Sequence, residues 1–248
     1  LQPPNSVVTI SAMHNVKRMT AEKRSEKRRE SEERARRYYD LSRAAMEKRA
    51  AGLLDAESLT AACRVLEINP DMATMWNFRR QILKCMYPEG APPDDVRDAC
   101  AGEFVLTQEC LMVNPKSYPV WFHRMWVIEW GECSWQWATE MKLTTRLLAL
   151  DDRNFHCWTY RRFIARVAGI PKADELAFSM EKIKQNFSNY SAWHYRSKLL
   201  PQIYKASGDE GDGVSPLGTV LREELELVRN AFFTAPDDQS AWFYHRWL

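Results

Sequence analysis

The chain has 248 residues, 45% of them hydrophobic and 12% aromatic, and its 35 Lys and Arg nearly balance 33 Asp and Glu, leaving a formal charge of +2. That aromatic content excludes a wholly disordered chain, the near-neutral charge excludes a protein that binds nucleic acid over its whole surface, and the length suits one large domain or two small ones. Six Cys with no Cys-x-x-Cys pair and no His at ligand spacing exclude a zinc knuckle, a redox motif and a disulfide framework, and point to a reducing compartment.

Residues 1–16 read as a flexible extension, and the first twelve, LQPPNSVVTISA, lack the charged n-region and apolar core of a signal peptide. No later run approaches the roughly 18 to 20 apolar residues of a membrane helix, so a cytoplasmic protein without a span is expected. A helical domain is expected over 17–248. It opens on a charged stretch: between Lys17 and Arg37 stand ten Lys or Arg and five Glu, with Met19 the single bulky apolar residue. Glu30, Glu32 and Glu33 each precede an Arg by four residues, which fits a solvated helix braced by ion pairs. An RNA-binding arm is the alternative, but stacking aromatics near it are limited to Tyr38 and Tyr39.

From Tyr39 onward apolar residues follow a 3.6-residue period, as in Leu143, Leu147, Leu148 and Leu150, and alternating β-branched runs are missing, so the chain reads all-α. Breaks fall at 87–95 (YPEGAPPDD), 169–171 and 205–218 (KASGDEGDGVSPLG); the last holds four of the nine Gly and reads as a mobile loop.

Five segments align: NPDMATMWNFRR from Asn69, NPKSYPVWFHRM from Asn114, DDRNFHCWTYRR from Asp151, NFSNYSAWHYRS from Asn186 and APDDQSAWFYHRW from Ala235. Their Trp residues, at 76, 121, 158, 193 and 242, are 45, 37, 35 and 49 residues apart. Such an interval holds two helices and two turns, so the unit is a helical hairpin and the whole an α-solenoid. The leading Asn or Asp is expected to cap the helix that carries the Trp. Trp and Arg at i and i+3 then share one face, with the Trp packed in the seam and the Arg stacked on the ring and bonded to terminal carbonyls of a neighbouring helix. Trp126, Trp130, Trp135, Trp137 and Trp247 are expected to fill seams, and His123, His194 and His245 to pack beside them. The fifth unit departs from the pattern, with Arg246 at i+4 and the chain ending at Leu248 without a polar closing helix, as a truncated or partner-covered repeat would.

The repeat core, Asn/Asp-x-x-x-Tyr/Phe-x-x-Trp-x-x-Arg, resembles the repeat of protein prenyltransferase α subunits from Tyr39 to the last residue. Within that family NPKSYPVWFHR, DDRNFHCWTYRR, NYSAWHYRS and DDQSAWFYHRWL are most similar to the type II, Rab-modifying branch. TPR repeats keep a steadier period of about 34 and a different signature. The resemblance implies a crescent of hairpins around a β subunit that carries zinc and the lipid pocket, with no cofactor or metal held by this chain. It implies transfer of geranylgeranyl from its diphosphate to C-terminal cysteines of Rab GTPases presented by an escort protein. The partner's zinc would keep the acceptor cysteine a thiolate, while cationic groups stabilise the departing diphosphate.

By the same resemblance Lys116 reaches the prenyl diphosphate and Tyr118 lines the same place; a Lys at a helix start is otherwise merely solvated. Asn154, Phe155 and His156 match a second position facing the partner's cavity. Farnesyl-transferring relatives carry Tyr where this chain has Phe155, so a hydroxyl role is lost there. His156 either polarises a substrate group or satisfies a buried hydrogen bond. Asn189 and Tyr190 repeat the arrangement as partner-interface residues, and Arg124, Arg161 and Arg196 belong either to that interface or to the seams. If Met13 is the natural start, His14 near the terminus could reach the partner's zinc as an inhibitory device. The rival readings are a non-catalytic TPR-like scaffold that binds peptide or protein partners and, through the basic stretch, an RNA-binding protein.

Overall fold

The computed structural model describes residues 20–204 and 216–248; the expected extension over 1–16, His14 and most of the glycine-rich break lie outside the described residues. Helix α1 (Ala21–Ala50) begins at Thr20, whose hydroxyl accepts the Lys23 N–H at 3.3 Å. Most of it is solvated, and it packs on the next helix. Among the described residues Arg28 pairs with Glu32 at 2.8 Å along its charged stretch, and the three Glu-to-Arg pairs the spacing offers do not form.

Five antiparallel hairpins follow, each a leading and a trailing helix: α2 (Ala56–Ile68) with α3 (Ala73–Met86), α4 (Pro93–Val113) with α5 (Tyr118–Trp130), and α6 (Trp137–Leu150) with α7 (Phe155–Val167). The last two are α8 (Lys172–Gln185) with α9 (Tyr190–Tyr204) and α10 (Pro216–Thr234) with α11 (Gln239–Trp247). Trailing helices stack on one another, α3 on α5, α5 on α7 and α9 on α11, and α2 meets α4, so this is the expected all-α solenoid. The break at 87–95 separates α3 from α4. Gly169, at φ +62°, turns the chain out of α7 before Pro171 caps α8.

The caps sit three residues later than the sequence reading placed them. Asn69, Asn114, Asp151 and Asn186 end the leading helices, the last three in extended conformations, and their side-chain oxygens accept the N–H two residues on, at 3.0–3.2 Å. Asn154, Asn189 and Asp238 supply the cap bonds instead, while Met72 and Ser117 make none. An Asx turn and an N-cap use the same side-chain oxygen, so composition alone cannot separate them.

Each repeat Trp donates its indole N–H to the carbonyl six residues earlier, at Pro70, Pro115, Asp152, Phe187 and Pro236, which pins the trailing helix to its own turn. The first four rings are buried and lie against the residue two past the next repeat's Trp: His123, Tyr160, Tyr195 and Tyr244, with centroids 4.6–5.9 Å apart. Among the described residues no ring of a later repeat lies against Trp242, which is 49% exposed. Trp126, Trp130 and Trp137 pack on the core, whereas Trp135 and Trp247 are exposed and do not fill a seam.

The seam arginines do not stack on these indoles. Arg79, Arg124, Arg161 and Arg196 are buried and pair two-pronged with Glu103, Glu140, Glu175 and Glu224 on the leading helix of the next repeat. Their remaining donors meet mid-helix groups of their own repeat, such as the Leu59, Phe104 and Leu176 carbonyls. Each carboxylate also takes a bond from His123 Nε2, Tyr160, Tyr195 or Tyr244 at 2.7–3.1 Å. Burying charge is tolerable only with partners of this completeness. In the first repeat, which has no Arg-bearing repeat before it, Ser58 and Phe78 occupy the Glu and Tyr positions, and the Ser58 hydroxyl is buried without a partner.

Candidate functional site

With the seam residues used up, the chemistry left exposed lies where the trailing helices begin. Tyr118, Phe155 and Tyr190 are the first residues of α5, α7 and α9, three residues before the repeat Trp, and are 69%, 61% and 53% exposed. As the first residue of its helix this position lies beyond the packed seam, so stacking the repeats lines up an aromatic edge. Tyr190 extends it, edge-on to exposed Phe243 at 6.3 Å.

Lys116 stands two residues before α5, ahead of Ser117 and outside the first helical turn that the sequence reading gave it. Its Nζ lies 3.3 Å from Asp151 Oδ2, in an exposed pair that contributes at most about 1 kcal/mol. The ammonium is therefore lightly held, and a more highly charged anion can take it from Asp151.

His156 is brought beside Lys116, although forty positions separate them, because they flank equivalent turns of adjacent repeats. Its ring meets Tyr118 edge-on at 5.6 Å and Phe155 at 3.9 Å. Burial, and then the Lys116 ammonium, hold the imidazole below its usual range, so it is neutral at pH 7. Tyr118, Phe155 and His156, with Trp121, Phe122 and Met125, line a recess of about 110 Å³. The result is an exposed cation, a neutral imidazole and a phenol beside a small apolar hollow, a set able to meet an anionic head joined to an apolar group.

The other sequence candidates are placed differently. Asn154 and Asn189 are buried: each caps its helix and donates Nδ2–H across to the preceding repeat, to the Pro115 and Asp152 carbonyls at 3.0 Å. Both are inter-repeat cross-links and contribute no polar group to the exposed edge. Arg124, Arg161 and Arg196 lie in the seams as described, with their guanidinium groups occupied by this chain. His123 is fully buried; Arg80 is positioned to donate to its Nδ1 and Nε2 faces Glu103, so the neutral Nε2–H form fits. His194 is half-buried, whereas His245 is exposed and not packed away.

Sequence reasoning missed the four seam glutamates and Asp151. A signal for the glutamates exists: each stands 20 residues before the aromatic or His that follows the repeat Trp by two. No comparable signal marks Asp151, whose role follows from its meeting Lys116 across a seam. Among the described residues no group of three His, Cys, Asp or Glu could hold a metal ion, and no helix is long and apolar enough to cross a membrane.

An α-solenoid whose hairpins are tied by a buried Arg–Glu–Tyr set and whose outward edge is aromatic is a repeat protein of one recognisable class. The model for the protein prenyltransferase alpha subunit repeat matches residues 55–86, 100–131, 137–167, 173–203 and 221–248, and the chain belongs to that family. It is 46% identical over 239 residues to the human geranylgeranyl transferase type-2 subunit alpha, which covers 95% of this chain and 41% of the human one. The Saccharomyces cerevisiae protein of the same name is 32% identical over 245 residues, covering 95% of this chain and 72% of the relative. The chain thus spans about two-fifths of the length of its mammalian relatives. A solved structure described as Candida albicans protein geranylgeranyltransferase-I complexed with GGPP shares the fold, with TM-score 0.63 and 24% identity over 84% of this chain and 64% of that one.

Proposed function

We propose that this chain is the α subunit of a heterodimeric protein geranylgeranyltransferase, active only with a β subunit, that transfers geranylgeranyl from its diphosphate to C-terminal cysteines of Rab GTPases with the help of an escort protein. The observation that carries the reading is the cluster of Lys116, Tyr118 and His156 at one junction of the exposed aromatic edge. Relatives named for the type-2 enzyme support the class of reaction.

In this reading the described residues of this chain supply charge and shape, not the nucleophile or the metal. The reaction releases diphosphate, so negative charge grows on the bridging oxygen as the carbon–oxygen bond breaks. Lys116 leaves Asp151 for that oxyanion, and its ammonium is worth more there than in bulk water once a partner covers the edge. Neutral His156 donates or accepts a hydrogen bond without adding a second cation, and Tyr118 offers its hydroxyl beside it. Zinc is assigned to the partner, where it would hold the acceptor cysteine as thiolate, and no step assigned here to this chain runs through it. The subunit works in the cytoplasm on this reading, with geranylgeranyl diphosphate as lipid donor.

Co-expression with candidate β subunits, followed by a transfer assay on a Rab and escort-protein pair, tests the proposal. A purified heterodimer that prenylates the Rab is expected. Failure of any β subunit to co-purify would overturn it.

A further inference from the structure

A second recess, of about 390 Å³, opens where the third and fourth repeats meet, between the C-terminal halves of α7 and α9 and the start of α8. Arg162, Arg166, Lys172 and Lys198 surround it, with Ile170 and Leu199 among its apolar lining. Elsewhere in the molecule the buried arginines of the seams each have a carboxylate partner, yet no ion pair with a carboxylate joins any of these four among the described residues. Among the described residues Arg162 reaches the Thr159 hydroxyl and Arg166 the Phe163 ring. The one carboxylate at the recess, Glu175, is already taken by Arg161 and the Tyr195 hydroxyl. Its charge is spent, and among the described residues the four cations of the recess have no ion-pair partner.

The field of these groups reaches their neighbours. Burial first, then Lys198 and Arg162, keep the His194 imidazole below its usual range. Arg166, Lys172 and Lys198 are exposed at the rim, which suits an extended anionic chain better than a small molecule that must be mostly enclosed. The recess also continues the aromatic edge. Phe155, Thr159, Arg162 and Arg166 form one stripe along α7, and Tyr190, His194 and Lys198 one along α9, since i, i+3, i+4 and i+7 neighbours share a face.

We infer that this cationic recess is a docking site for an acidic segment of the partner subunit, so that one face of the solenoid offers aromatic contact at its helix starts and charge complementarity half-way along. The inference rests on the proposed heterodimer. Charge pairs at such a rim set association rate, register and salt dependence more than total affinity.

The experiment measures assembly of the purified full chain with its β subunit at several salt concentrations. If the unaltered chain captures no β subunit, the subunit reading fails and the docking site with it. If it does, Arg166→Glu with Lys198→Glu is expected to weaken assembly about 10- to 100-fold, with a shallower salt dependence. Arg166→Gln with Lys198→Gln should lie between the two, and unchanged circular dichroism is expected for these exposed sites. A charge-reversed chain that assembles with unchanged affinity and salt dependence would overturn the docking site and leave the heterodimer standing. Inorganic phosphate that binds the unaltered chain but not the reversed one, with assembly unaffected, would assign the recess to a small anion and overturn it too. The chain's own Asp209, Glu210 and Asp212 give the last arm. If neutralising all three to Asn and Gln tightens assembly and that gain disappears in the charge-reversed chain, the partner's acidic segment is the competing occupant. If it leaves assembly unchanged but releases the recess to phosphate, those residues are the occupant and the proposal falls.

Discussion

The seams and the helix-start edge are built from the same repeats and behave in opposite ways. In the seams four copies nearly agree: Trp, the aromatic or His two residues on, Arg at three and Glu on the next leading helix meet in buried sets. At the edge the copies diverge. Three residues before Trp stand Ala73, Tyr118, Phe155, Tyr190 and Gln239, and five before it Asp71, Lys116, Arg153, Ser188 and Asp237. What every repeat shares stacks the repeats, and what one repeat holds alone is where chemistry can be placed. Lys116 and His156 face each other across one junction, and no other junction offers that pair.

The largest expected effect is in the seams. Arg124→Ala strands Glu140 in the core and should cost about 3–5 kcal/mol by chemical denaturation, whereas Arg124→Met with Glu140→Leu should recover much of that loss. If the single and double variants are equally unstable, these pairs are not buried charges whose main requirement is compensation. Next, Trp193→Ala should cost about 3–5 kcal/mol and Trp242→Ala about 1–2 kcal/mol, because the former ring is buried against Tyr244 and the latter is half exposed. Equal losses would mean that repeat stacking is not what the Trp provides.

Acid should dismantle the first seam in two stages. Burial keeps His123 neutral in the folded state, so below about pH 6.5 the unfolded chain gains a proton the folded one refuses, and stability falls. Burial alone would raise the Glu103 carboxyl, but the His123 bond and the Arg79 charge outweigh it and hold it at about 2. A second loss therefore begins below about pH 4.5 and continues toward that value. Denaturation midpoints across pH check this, and His123→Phe should flatten the upper stage and shrink the lower one, because Glu103 then loses the bond that helps hold its carboxyl down. The smallest effect is at the edge: Lys116→Ala should move the His156 titration upward in an NMR experiment without changing the melting temperature, since a nearby cation is removed.

Much of the architecture was legible because each Trp marks one hairpin, and loops absorb the unequal intervals without moving the core. Cap positions were misread because Asn114 and Asp151 in their Asx turns look like helix starts. The seam glutamates stayed hidden because their distance from Arg runs through variable linkers, 24 residues for Arg79 to Glu103 but 14 for Arg161 to Glu175. Counting back from the trailing helix removes that variation. At the site, Lys116, Tyr118 and His156 were named by their motif, yet the Asp151 partner depends on how two turns meet. Asn154 and Asn189 carry the same motif and turn inward, because a capping side chain must point at its own helix.

The central claim is that Lys116, the cation beside His156 at the edge, serves chemistry while the seam arginines serve structure. Geranylgeranyl transfer by the heterodimer carrying Lys116→Ala tests it most directly. Turnover should fall about 10- to 1,000-fold with assembly and melting unchanged; turnover equal to that of the unaltered heterodimer would contradict it.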